Sequence, residues 1–162
     1  MTRALVRKLK TFGQQPSFTK LWFVPTWLLL GCAKLVIFCV TFRRLAPYLG
    51  RSIGVDAWVP LASPAVQARA LLIGRTVKMA AGYTPWESNC FPQAVAARIL
   101  LGLYGVPYAI YFGLMRDKTT QEMKAHAWVS CGRVSVTGGA GFANYTVVGM
   151  FVSADLSATP AP

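Results

Sequence analysis

An α+β domain is the fold class that this sequence predicts, with helices in its first two thirds and an antiparallel sheet in its last third. Three observations carry that expectation. Apolar residues recur at helical spacing through 21–42, 64–81 and 94–103. After Gly105-Val-Pro107 the pattern changes to short β-rich runs punctuated by glycine and polar turns. The chain has 162 residues, 54% hydrophobic and 12% aromatic, enough for one sizeable core and too apolar for a disordered chain. The expected organisation is a basic, hydrophobic helical region over 1–60, a core over 61–155 and a tail over 156–162.

The first residues are basic, with Arg3, Arg7, Lys8 and Lys10, and read as an arm or short helix. Leu21 to Phe42 is long enough to cross a bilayer, interrupted by Pro25 and Lys34. A lysine in mid-span is costly in lipid, and basic residues flank both ends, so a helix packed on the domain or lying on a membrane surface is preferred over a span. A cleaved signal peptide fits poorly, because the basic region and the apolar run are both too long and Arg43-Arg44 follow. Cys32 and Cys39 share this helix while Cys90 and Cys131 lie far apart in pattern, which suggests a reducing compartment and no disulfide framework.

Arg43 to Ser63 reads as a connector, with Pro47, Gly50, Gly54 and Pro60. Ser63 as N-cap and Pro64 in the first turn open a helix that runs to about Ala81, and Gly82-Tyr-Thr-Pro85 closes it. Ser88 and Asn89, both good caps, introduce the helix that begins at Cys90 and ends at Tyr104-Gly105. Four strands then follow: Tyr108 to Met115, a strand around His126, Val134 to Thr137, and Tyr145 to Val152, expected as a meander with 138–141 as a flexible turn.

Seventeen Lys and Arg against five Asp and Glu give a formal net charge of +12, which favours acidic partners such as an acidic peptide or anionic lipid. The basic residues are scattered and no zinc-finger, RNP or helix-turn-helix signature accompanies them, so nucleic acid is not an expected partner. No phosphate-binding GxxxxGK[ST] loop is present, and any ATP use belongs to a partner.

Cys90 sits where a polar loop turns into a helix. Unpaired N–H groups and the helix dipole there favour a thiolate nucleophile, and the same groups suit an oxyanion. His126, the chain's only histidine, lies in Lys124-Ala-His-Ala-Trp-Val-Ser-Cys-Gly132, where alternation places His126, Trp128 and Ser130 on one face. A helix-borne Cys followed by a strand-borne His is the order of a thiol hydrolase. The bland alternative keeps Cys90 as a small core hydrophobe and His126 as a structural residue. A zinc site from Cys90, His126 and Cys131 lacks a fourth ligand, so no metal is expected.

The runs Cys90 to Pro107, Ile110 to Leu114, His126 to Val129 and Val136 to Gly139 resemble the transglutaminase-like leader peptidases of lasso-peptide biosynthesis. That resemblance implies a minimal papain-like or transglutaminase-like arrangement and a cysteine protease without cofactor. Its expected substrate is a ribosomal precursor peptide, cleaved beside a leader-recognition protein and an ATP-dependent macrocyclase. The reducing compartment suggested by the cysteines makes the expected location cytoplasmic, with contact to a membrane surface left open. Cys90 is the expected nucleophile and His126 the base, with Phe91, Trp86, Trp128 and Thr137 as oxyanion or positioning residues.

One departure stands out. The family's third member is an Asp shortly after the His, and this chain has Thr137, Gly138, Gly139 and Ala140 there. A neutral group must then orient the imidazole: backbone carbonyls around 137–139, the Thr137 hydroxyl, or the Asn144 amide, which is the residue expected to complete the site. An Asp placed at Gly138 would restore the carboxylate if the loop admits it. The rival readings are a membrane-associated transglutaminase or amidase using the same pair, and a non-enzymatic scaffold with Cys90 in its core.

Overall fold

The computed structural model of the chain describes residues 10, 12–55, 59–139 and 141–153. Arg3, Arg7 and Lys8 of the expected arm, Ala140, Asp155 and the tail lie outside them. Helices α1 (Ser17–Cys39), α2 (Phe42–Leu45), α3 (Pro64–Ala81) and α4 (Cys90–Leu103) accompany strands β1 (Arg51–Gly54), β2 (Ala109–Arg116), β3 (Met123–Cys131), β4 (Val134–Thr137) and β5 (Thr146–Val152). The α+β expectation holds.

Local chemistry explains the helix boundaries. Ser63 Oγ accepts a hydrogen bond from the Val66 N–H at 3.4 Å, with Pro64 in the first turn. α4 ends at Tyr104 and Gly105, whose φ of +58° reverses the chain into β2.

The strands form one antiparallel sheet in the order β1-β5-β2-β3-β4. That corrects two expectations. The segment read as a plain connector contributes α2 and β1, because Arg51 and Ser52 find the free edge of β5 opposite Val152 and Phe151. The sheet is also no meander. After β4 the chain returns across the sheet, so β5 pairs with β2 and β1 while β4 keeps only β3 as neighbour. Turn signals reveal where strands end, not which edge the next one joins.

α3 and α4 cover the sheet, and their buried Ile73, Val77, Ala94, Ala97 and Leu100 meet Ile110, Ala127, Val129 and Cys131 of β2 and β3. α3 lies unusually close to β4. A Cβ on Gly74 would stand 2.2 Å from the Val136 carbonyl oxygen, so only glycine permits that approach. α1 adds Leu30 and Ala33 to the same core.

Candidate active site

The loop before α4 is built from short polar contacts. Thr84 Oγ1 lies 2.9 Å from the Trp86 carbonyl oxygen and 3.0 Å from Ser88 Oγ, while Gln93 Nε2 donates to the Ser88 carbonyl at 2.7 Å. These bonds fix the entry to α4 without using the cap side chain. Asn89 occupies the N-cap position and its side chain makes no capping bond. The first amides of α4 are thus left without a side-chain acceptor, next to the half-buried Cys90 thiol.

The long N-terminal helix reaches the same loop. Trp86 packs on Trp27 with ring centroids 4.9 Å apart, and a Cβ on Gly31 would meet its ring at 3.0 Å. Lys34 Nζ donates to the Glu87 carbonyl at 2.9 Å. The lysine that interrupts the apolar run therefore has a structural partner three residues before Cys90. Three further bonds tie α1 to the domain: Thr19 Oγ1 to Thr76 Oγ1 at 3.0 Å, Trp22 Nε1 to the Tyr104 hydroxyl at 2.6 Å, and Trp27 Nε1 to the Tyr83 carbonyl at 3.1 Å.

His126 stands on β3, opposite Gly113 of β2. β4 pairs only with Val129 to Cys131, so its far end is free to turn at Gly138 and bring that carbonyl to His126 Nε2 at 2.7 Å. A carbonyl accepts only, so this nitrogen carries the proton and Nδ1 is left as the lone-pair nitrogen. The Tyr145 ring lies 4.9 Å from the imidazole and Trp128 lies 5.9 Å from it.

Cys90 and His126 line one cleft of about 510 Å³, walled by Phe42, Phe91, Phe112 and Phe151. The rings meet edge to face, Phe91 with Phe112 at 5.3 Å and Phe112 with Phe151 at 5.7 Å. A thiol at a helix start, an imidazole with a lone-pair nitrogen and amides without a side-chain cap, beside an apolar recess, form a constellation suited to acyl transfer through a thioester.

The other sequence candidates separate. Phe91 joins the cleft wall. Trp86 does not line it and packs instead between Trp27 and Gly31 of α1. Trp128 is buried, stacked on Tyr111 at 5.3 Å, and reaches the site only by backing His126. Thr137 is buried with an unpartnered hydroxyl, and its neighbour Gly138 holds the imidazole. Asn144 lies exposed on a 3-10 turn and lines a neighbouring depression with Asp117; that depression shares Leu114 and Val148 with the cleft, but neither Asn144 nor Asp117 lines the cleft itself. Asp117 pairs there with Lys124 and accepts from the Thr120 and Thr119 amides, interactions that hold its carboxyl well below the usual carboxylate range. An Asp at Gly138 is not admitted: φ is +69° and a Cβ would stand 2.4 Å from the Ala127 carbonyl oxygen. Cys131 points into the core, and among the described residues no three of His, Cys, Asp and Glu come together to hold a metal.

Sequence reasoning missed Phe42, Phe112 and Phe151, which come from three elements and meet only in the fold. Against this geometry, residues 36–150 match the transglutaminase-like superfamily. The chain belongs to that superfamily. Transglutaminase-like proteins include cysteine proteases and transglutaminases and generally use cysteine-based catalysis, which agrees with a Cys at the start of a core helix and a His on the sheet it covers. The match begins within α1 and ends in β5, so it takes in both halves of the cleft. Neither a curated protein nor a solved structure matches this transglutaminase-like chain.

Proposed function

We propose that this protein is a cysteine peptidase that removes the leader from a ribosomally made precursor peptide during lasso-peptide maturation. The observation that carries the chemistry is the shared cleft of Cys90 and His126, with Nε2 of the imidazole held by the Gly138 carbonyl. His126 Nδ1 takes the thiol proton as Cys90 attacks the scissile carbonyl, and the first amides of α4 receive the oxyanion. The same imidazole then protonates the leaving amine, and water hydrolyses the thioester. The four phenylalanines select an apolar side chain next to the scissile bond. The leader-peptidase assignment rests on the family resemblance of the Cys90 and His126 segments. In that reading a leader-recognition protein presents the substrate and an ATP-dependent macrocyclase takes the product.

The protein works in the cytoplasm at a membrane surface. α1 is long and apolar enough to span a bilayer, yet its Thr19, Thr26, Leu30 and Ala33 face is buried in the domain. The opposite face exposes Leu21 (71%), Val24, Leu28, Leu35 and Phe38 (89%), which suits an interfacial helix more than a span.

The deciding experiment incubates the full chain with a precursor peptide and its leader-binding protein, followed by mass spectrometry. Leader release that disappears in folded Cys90→Ala supports the proposal; release by that variant overturns it. Incorporation of a primary amine without leader release would select the transglutaminase alternative.

A further inference from the structure

His126 also stands on the wall of a second pocket, about 380 Å³, whose lining includes Arg75, Lys78, Ser135 and Thr137. Its character is opposite to that of the aromatic cleft. Arg75 and Lys78 lie one turn apart on α3, exposed, and no carboxylate pairs with either among the described residues. The close seating of Gly74 on Val136 brings that helical turn over β4. Ser135 presents an exposed hydroxyl. Thr137, only 5% exposed, has a hydroxyl with no hydrogen-bond partner, an arrangement that is destabilising unless something arrives to satisfy it. No acidic residue lines the pocket.

We propose that this pocket is a carboxylate subsite, which receives an acidic side chain of the peptide whose scissile bond lies against Cys90. The inference rests on the peptidase reading for the identity of that peptide. The guanidinium of Arg75 offers paired N–H donors to a carboxylate, Lys78 adds a point charge, and the hydroxyls complete the oxygen's contacts. His126 belongs to both pockets, so a peptide in the cleft extends past the imidazole into the basic one.

The test uses the full chain carrying Cys90→Ala, so that binding is read without cleavage. The probes are fluorescein-labelled Gly-Gly-Glu-Gly-Gly and its Gln analogue, followed by anisotropy at low salt. The Glu peptide should bind about tenfold more tightly than the Gln peptide. Arg75→Gln with Lys78→Gln should erase that difference, while Arg116→Gln with Lys118→Gln, which removes the same charge elsewhere, should leave it. Equal affinity for the two peptides overturns the subsite, and so does equal loss in both double variants, the signature of bulk charge alone. Displacement of the peptide by an equal concentration of sodium acetate would assign the pocket to a free small acid and overturn the substrate role. Failure of the peptidase reading appears separately, as leader release by Cys90→Ala.

Discussion

Cys90 and Cys131 belong to one core, the first opening α4 and the second closing the strand that carries His126, yet the fold gives them opposite environments. Cys90 is half-buried beside uncapped amides and lines an open cleft. Cys131 is fully buried, and burial pushes its thiol up to about 11. Closeness to a histidine along the sequence would favour Cys131. What separates the two is where their elements end: a helix start leaves donors free, whereas the inward face of a strand offers only apolar neighbours.

The sharpest way to break this contrast is paired substitution. Cys90→Ala should lower turnover at least about a thousandfold with little change in stability, whereas Cys131→Ala should keep turnover and cost about 1–2 kcal/mol in denaturant unfolding. Next in size is Gly138→Asp, which forces a Cβ against the Ala127 carbonyl and displaces the acceptor of His126 Nε2. Turnover should fall about a hundredfold, and a gain would show that the loop yields. Trp86→Ala removes the loop's anchor on α1. We expect a loss of about 3 kcal/mol in stability together with a drop in kcat, measured by thermal unfolding and steady-state rates.

A pH measurement sharpens the same comparison. Burial raises the folded Cys131 thiol from an ordinary 9.0, so its neutral form is favoured in the native state. That contribution is complete below about pH 9 and is lost as pH rises toward about 11, so stability should decline across this window, and less so in Cys131→Ala. Alkylation of Cys131 in the native chain should stay slow up to the same pH. The smallest effect is expected in the neighbouring depression: Asp117→Ala at the hairpin tip and Asn144→Ala on the 3-10 turn, neither of which lines the cleft, should each leave turnover within about twofold.

The three long helices and the strands β2 to β5 were legible because their signals are local: a Ser-Pro start, a Gly end, alternation along a strand. Cys90 and His126 were legible for the same reason, one at a boundary and the other the only histidine. The orienting acceptor was half legible. The window 137–139 follows from spacing, but a backbone carbonyl leaves no trace in residue type, and the search for a side chain led to Asn144. The place of β5 between β1 and β2, and with it the phenylalanine wall, was hidden because edge choice depends on long-range pairing. Lys34 was only half legible for a related reason: it argued against a span, but its acceptor did not show. Its partner is a backbone oxygen 53 residues away, so in sequence it resembles a charge stranded in an apolar helix.

The anchoring of the nucleophile's loop by α1 also sets an order of events in time. The partners in the bonds from Thr19, Trp22, Trp27 and Lys34 are 57, 82, 56 and 53 residues distant and lie between Thr76 and Tyr104, so these four bonds wait until that stretch has been synthesised. All four partners precede β2 in the chain, so α1 can gain its covering before the sheet is complete. Under the proposed peptidase reading, cleavage would await the docking of α1 on the loop before Cys90, which Lys34 and Trp27 hold through Glu87 and Trp86.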